Sequence, residues 1–158
     1  MLSEALRLSP GCTVTLKRVD HDKKIEPWWS LDPERPAIIR DLVANGVQMV
    51  TTPTFRLVLD HHRWDDLHAM KRIALVFSEF QENGLACALH PNGRTFQDFE
   101  RWRTFVAERP EVQVMAYEFI TGPDRSGRRQ FHLDRLAELA AAADRPLDII
   151  VRGNPQVI

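Results

Sequence analysis

The chain carries no G-x-G-x-x-G after its first apolar run, no Walker phosphate loop and no G-x-S-x-G elbow. These absences disfavour dinucleotide binding through a Rossmann fingerprint, P-loop nucleotide hydrolysis and serine-hydrolase chemistry. Cysteine is scarce as well. Cys12 and Cys87 have no metal-type spacing, which leaves no support for a disulfide framework or a zinc knuckle. Cys87 sits in an apolar run and reads as a small buried hydrophobe. No apolar run approaches the length of a membrane span, and residues 1–12 lack the apolar core of a signal peptide. A reducing cytoplasm is therefore the expected compartment. An excess of either charge is also missing. With 21 basic and 22 acidic residues, the formal net charge of -1 gives no general pull toward nucleic acid or anionic membrane. The aromatic and basic interleaving of RNA-binding sheets is not found either. Lysine stops at Lys71, but acids interleave with the arginines that follow. That bias reads as codon usage rather than as a phosphate-binding array.

What is present is an ordinary globular composition, 44% hydrophobic and 27% charged over 158 residues, enough for one domain with a sizeable core. The apolar patterning alternates between two periods. Val14 and Leu16 alternate with polar neighbours in a strand expected over Thr13 to Val19, with one wet face or an edge position. A long loop over Asp20 to Leu31 follows, holding Pro27, Trp28 and Trp29. Asp32, Pro33 and Glu34 then have the chemistry of a helix start, and Asn45-Gly46 that of its stop. Val47 to Thr52 reads as the second strand, with a longer loop behind it from Pro53 to about Arg63. A helix is expected over about Trp64 to Asn83, with Leu67, Met70, Ile73, Ala74, Phe77 and Phe80 on one face. Leu85 to Leu89 reads as a buried strand. Thr95 and Asp98 approximate a capping box for a helix that buries Phe96, Phe99, Trp102, Phe105 and Val106. Val112 to Ile120, a helix marked by Leu133, Leu136, Leu139 and Ala140, and a strand over Leu147 to Val151 complete the series.

The order is β-α-β-α-β-α-β-α-β, so the expected fold class is α/β with about five parallel strands. Two architectures fit: a partial TIM-barrel-like sheet, or an open flavodoxin-like doubly wound sheet. The length matches the second, whereas a full barrel takes about 250 residues. Polar residues placed within the strands near their ends favour the first. A barrel of five strands would leave edges for a partner subunit or a second copy to cover.

Polar residues collect where the strands end: Asp20-His21-Asp22, Thr51-Thr52-Pro53, His90-Pro91-Asn92, Glu118 to Gly122, and Arg152-Gly153-Asn154. The opposite ends close in terse turns, Asn45-Gly46 and Asn83-Gly84. In βα proteins ligands bind and chemistry occurs outside the carboxyl ends of the strands. His90 would serve there as an acid/base group, with Asn92 and Arg94 at a helix start whose amides suit an anionic oxygen. The structural alternative is a turn in which His90 and Asn92 satisfy backbone groups and Gly93 supplies positive φ. Glu118 lies within an apolar strand, where a carboxylate is costly unless it is paired or functional. It is a general base or a metal ligand, or else half of a buried ion pair with Arg152. Arg152 and Asn154 are candidate substrate-binding residues, and Trp28 and Trp29 a lid, or else plugs at the rim of the core. Asp20 and Asp22 are candidate ligands for a divalent metal, with local pairing to Lys23 and Lys24 as the alternative. Asp60-His61-His62 resembles a metal cluster only superficially, because adjacent side chains on a helix diverge.

The expected function is a small-molecule enzyme of hydrolase or lyase type acting on a polar, anionic substrate. The rival is a non-catalytic binding or assembly module completed by a partner or by self-association, and a fragment of a larger enzyme is a third reading.

Overall fold

The computed structural model describes residues 2–9, 11–17, 22–58, 60, 62–119 and 127–153. The chain divides into two compact units, Met1–Leu89 and His90–Ile158. The first holds helix α1 (Leu2–Ala5), strand β1 (Thr15–Leu16), α2 (Asp22–Ser30), α3 (Arg35–Ala44), β2 (Met49–Thr51), α4 (Arg63–Glu82) and β3 (Ala86–Ala88). The second holds α5 (Phe96–Glu108), β4 (Val114–Phe119), α6 (Arg129–Ala142) and β5 (Asp148–Gly153).

The strand pairs among the described residues are parallel, as the βα order implies. Among these residues no single five-stranded sheet forms. The strands fall into a three-stranded sheet in the order β1-β2-β3 and a two-stranded sheet, β4-β5. The central strand β2 sets Met49 opposite both Thr15 and Ala86. In the second unit Val114 faces Asp148 and the ladder runs to Phe119 opposite Gly153. Beyond β3 the chain turns, and the Asn92 amide donates to the His90 carbonyl at 2.8 Å. The alternating Val14 and Leu16 do lie at an edge: β1 is an outer strand, and Leu16 is 45% exposed.

Both Asn-Gly pairs end helices as expected. Gly46 and Gly84 adopt φ of +89° and +79°. The following amides, of Val47 and Leu85, reach back to the carbonyls of Leu42 and Phe80 at 3.0 Å. That is the six-to-one closure of a helix terminus, which an L side chain resists at the glycine position.

Three local expectations are corrected. The segment 22–30 is a helix rather than part of a loop, even though Pro27 lies inside it. Ile25 and Trp28, three residues apart, put two side chains into the core, and Trp28 stacks on Phe80 at 5.4 Å. Asp32 is no N-cap. A turn precedes α3, Glu34 takes the cap position without a side-chain bond, and Asp32 instead accepts from Nη2 of Arg35 at 3.1 Å. On α4 the buried stripe runs through Ala69, Met70, Ile73, Val76, Phe77 and Phe80, with Leu67 and Ala74 at its margin.

Candidate active site

The loop that follows β3 is held from four sides. The Asp98 carboxylate accepts from the amides of Arg94 and Thr95, both at 2.8 Å, while Thr95 Oγ1 accepts from the Asp98 amide, forming the expected capping box. Those amides are therefore occupied by a carboxylate of the chain itself. Trp102 Nε1 donates to the Asn92 carbonyl at 2.8 Å, and Arg128 Nη2 to the Arg94 carbonyl at 2.9 Å. Gly93 has no positive φ; its role is close approach. A Cβ there would stand 2.8 Å from Cε2 of the buried Phe99.

His90 is buried, 7% exposed, and its ring lies nearly parallel to that of Tyr117, 5.2 Å between centroids and 12° between planes. Tyr117 belongs to β4, and its Oη meets Nδ1 of His132 on α6 at 2.6 Å. His132 is itself buried, edge-on to Phe99 and Phe131. Burial pushes the Tyr117 phenol well above its ordinary range, against a smaller opposing pull from Arg128 and Arg94. Burial first, then the positive charges of Arg128 and Arg94, drive His132 down to about 4. At neutral pH the phenol is therefore protonated and the imidazole neutral. The bond joins a protonated phenol to a neutral imidazole, and its direction is set by the tautomer of His132.

Glu118 follows Tyr117 in β4, so its side chain leaves the opposite face of the strand. The ladder sets it across from Arg152, and Nη1 of Arg152 lies 3.5 Å from Oε1 of Glu118, which is the ion pair expected as the structural alternative to a functional carboxylate. The carboxylate side chain is 13% exposed and that of the arginine 56%. Ala116, two residues earlier on the same face, is small and buried. Tyr117, which carries the His90 ring, and Glu118 thus serve different sides of one strand.

The remaining candidates lie elsewhere or outside the described residues. Trp28 is a core residue of α2, and Trp29 lies under two guanidinium groups, Arg35 at 5.2 Å and Arg72 at 5.1 Å. Arg35 in turn grips both oxygens of Glu79 at 2.8 Å, and Arg72 binds Glu26. Asp20, His61 and Asn154 lie outside the described residues, as does the side chain of Asp22. Asp60 and His62 are exposed. Among the described residues, no group of three or more His, Cys, Asp or Glu side chains is placed to hold a metal ion. Nor is any helix among them long and apolar enough to cross a membrane. Burial pushes the Cys87 thiol far above its usual range, which suits a packing residue.

The first unit also has a cleft of about 350 Å³, lined by Glu26, Phe55, Arg56, Asp66, His68 and Arg72 among others. Its buried charges are already committed. Arg72 holds Glu26, and Asp66 accepts from the Val58 amide at 2.9 Å and pairs with Arg63.

Tyr117 and His132 were not singled out by the sequence reading, and Arg128 only within Arg125 to Arg129 as a phosphate-contacting or else solvated loop. Two signals point to them in retrospect. Tyr117 is the only tyrosine of the chain. His132 stands four residues before Leu136 and seven before Leu139, on the stripe that α6 buries, whereas Leu133 and Ala140 lie at its margin.

No protein-family model, curated protein or solved structure matches the chain.

Proposed function

We propose that the chain is a small-molecule enzyme of hydrolase or lyase type that binds a polar, anionic substrate at the downstream ends of its strands. The observation that carries this reading is the Glu118–Arg152 pair, in which a largely covered carboxylate holds a half-exposed guanidinium at the end of the β4-β5 ladder. An arginine oriented in this way presents its remaining donors to a carboxylate or phosphate. In this reading Arg152 takes the anion with Glu118 beside it as an acid/base group, while His90, on the other side of β4, is an acid/base group with Asn92 and Arg94 as its polar contacts. In parallel βα units such chemistry sits at the carboxyl ends of the strands.

The test uses inorganic phosphate and citrate in calorimetric titrations at low ionic strength. It adds release of p-nitrophenolate from p-nitrophenyl phosphate and p-nitrophenyl acetate. Arg152→Ala removes a charge-assisted contact of about 1.5–3 kcal/mol and weakens anion binding roughly tenfold or more. His90→Ala and Glu118→Ala lower turnover. Variants of all three that leave both binding and turnover intact would remove the proposal.

A second reading, a non-catalytic module completed by a partner or by self-association, is favoured by β5. That strand pairs with β4 alone among the described residues, and Ile149 on it is 37% exposed. A concentration-dependent mass in light scattering, with slowed amide exchange in β5 at high concentration, supports it. A monomer with exchange unchanged by concentration counts against it.

A further inference from the structure

The second unit contains a continuous run of rings that starts on helices α5 and α6 and ends at the strand-end loop. Phe99 and Phe131 meet His132 edge-on, at 5.7 and 5.2 Å between centroids. His132 is bonded to Tyr117, and the Tyr117 ring carries the His90 ring on its face. Each link restricts a different freedom. The aromatic edges confine the His132 plane. The hydroxyl bond fixes how the Tyr117 ring stands on its strand. The parallel stack confines the plane of His90, a residue on a loop whose backbone is tied down at Asn92 and Arg94.

A phenol buried as deeply as Tyr117, 1% exposed, fills an apolar site no better than phenylalanine would, and its hydroxyl needs a partner. The partner here is an imidazole, also buried, at a position where the neighbouring stripe residues Leu136 and Leu139 are leucines. A leucine at position 132 would satisfy the packing without a polar group. The geometry therefore points to a task that packing alone does not require. We propose that Tyr117 and His132 are positioning residues for His90: the hydrogen bond between the Tyr117 hydroxyl and Nδ1 of His132 holds the phenol ring against which the His90 imidazole is set for acid/base work. This rests on the assignment of His90 as an acid/base group, because general acid/base catalysis depends on imidazole placement within a fraction of an ångström.

The test reads the His90 ring directly, by carbon- and nitrogen-resolved NMR of the imidazole in the whole chain. The melting temperature of each variant is recorded alongside. Tyr117→Phe keeps the stacked ring but removes the hydroxyl, His132→Leu removes its partner, and His132→Asn returns a polar amide close to where Nδ1 stood. Positioning predicts that Tyr117→Phe and His132→Leu shift or broaden the His90 ring signals in proteins that remain folded, and that His132→Asn restores them. A packing role predicts the reverse order, with leucine tolerated best and asparagine worst in both signal and melting temperature. That order, or His90 signals in Tyr117→Phe that superimpose on those of the wild type, overturns the proposal. Should His132→Leu fail to fold, the comparison of Tyr117→Phe with His132→Asn still decides. No ligand enters these measurements. A chain that shows the expected shifts yet turns nothing over keeps the positioning and loses the enzyme reading; the opposite pattern loses the positioning alone.

Discussion

Acidification should weaken the fold through His132, and by an amount that can be worked out. An imidazole in the unfolded chain takes up its proton near 6.5, whereas the native one waits until about 4, held back first by burial and then by Arg128 and Arg94. Between those values the unfolded state binds the extra proton and the native state does not, so stability rises with pH across the window. The contribution is fully present above about pH 6.5 and is lost as pH falls toward 4. A shift of that size corresponds to about 3 kcal/mol at ~1.4 kcal/mol per pH unit. Solvent screening and local relaxation reduce it to roughly 1–2 kcal/mol. The assay is urea unfolding followed by near-ultraviolet circular dichroism, on the wild type and on His132→Asn, at neutral pH and near pH 4.5. Carboxylates titrate in both proteins and cancel in the comparison. The stability advantage of the wild type should therefore shrink by about 1–2 kcal/mol on acidification. An advantage that is the same at both pH values would show that His132 is neither buried nor neutral as described.

Four further outcomes follow from single features. Absorbance at 295 nm reports the only tyrosine of the chain, so no phenolate should appear near pH 10 in the folded protein. Because the native phenol holds its proton longer than the unfolded one, stability should decline above about pH 10 by up to ~1.4 kcal/mol per unit; ordinary titration near pH 10 would contradict this. Gly93→Ala drives a Cβ against Phe99 and should cost about 1–3 kcal/mol in denaturant unfolding. Asp98→Ala strips the acceptor from the Arg94 and Thr95 amides and should cost about 1–2 kcal/mol in the same assay. Arg145→Met releases the carbonyls of Val106, Arg109 and Val112, which Nη2 of Arg145 gathers at 2.7–3.0 Å, and should lower stability by about 1.5–3 kcal/mol.

The elements with strong local signatures were legible in the sequence. The two Asn-Gly stops, the Thr95–Asp98 cap and the long apolar stripe of α4 each have a cause confined to a few residues. The α2 helix was not legible, because Pro27 within it argues locally for a loop. Only the tertiary burial of Ile25 and Trp28 and the Glu26–Arg72 pair outweigh that penalty. Division into two sheets was equally hidden, since a βα repeat specifies parallel pairing but not where a ladder stops. At the site, Glu118 and Arg152 stood out because charges in or beside apolar runs are rare, and the register pairs them. His132 was passed over for the more apolar Leu133, although its spacing of seven residues from Leu139, against six for Leu133, favours the histidine. Tyr117 was hidden in a different way, for a tyrosine in a strand looks like any aromatic until its hydroxyl finds a partner.

The account rests most heavily on an anion held at Arg152 beside Glu118. The direct measurement is a titration of the whole chain with inorganic phosphate at low ionic strength, followed by NMR at the backbone amides of Glu118 and Arg152. Saturable shifts at both residues, lost in Arg152→Ala, are the predicted result. Amides that stay still through millimolar phosphate, or that shift equally in Arg152→Ala, would contradict it.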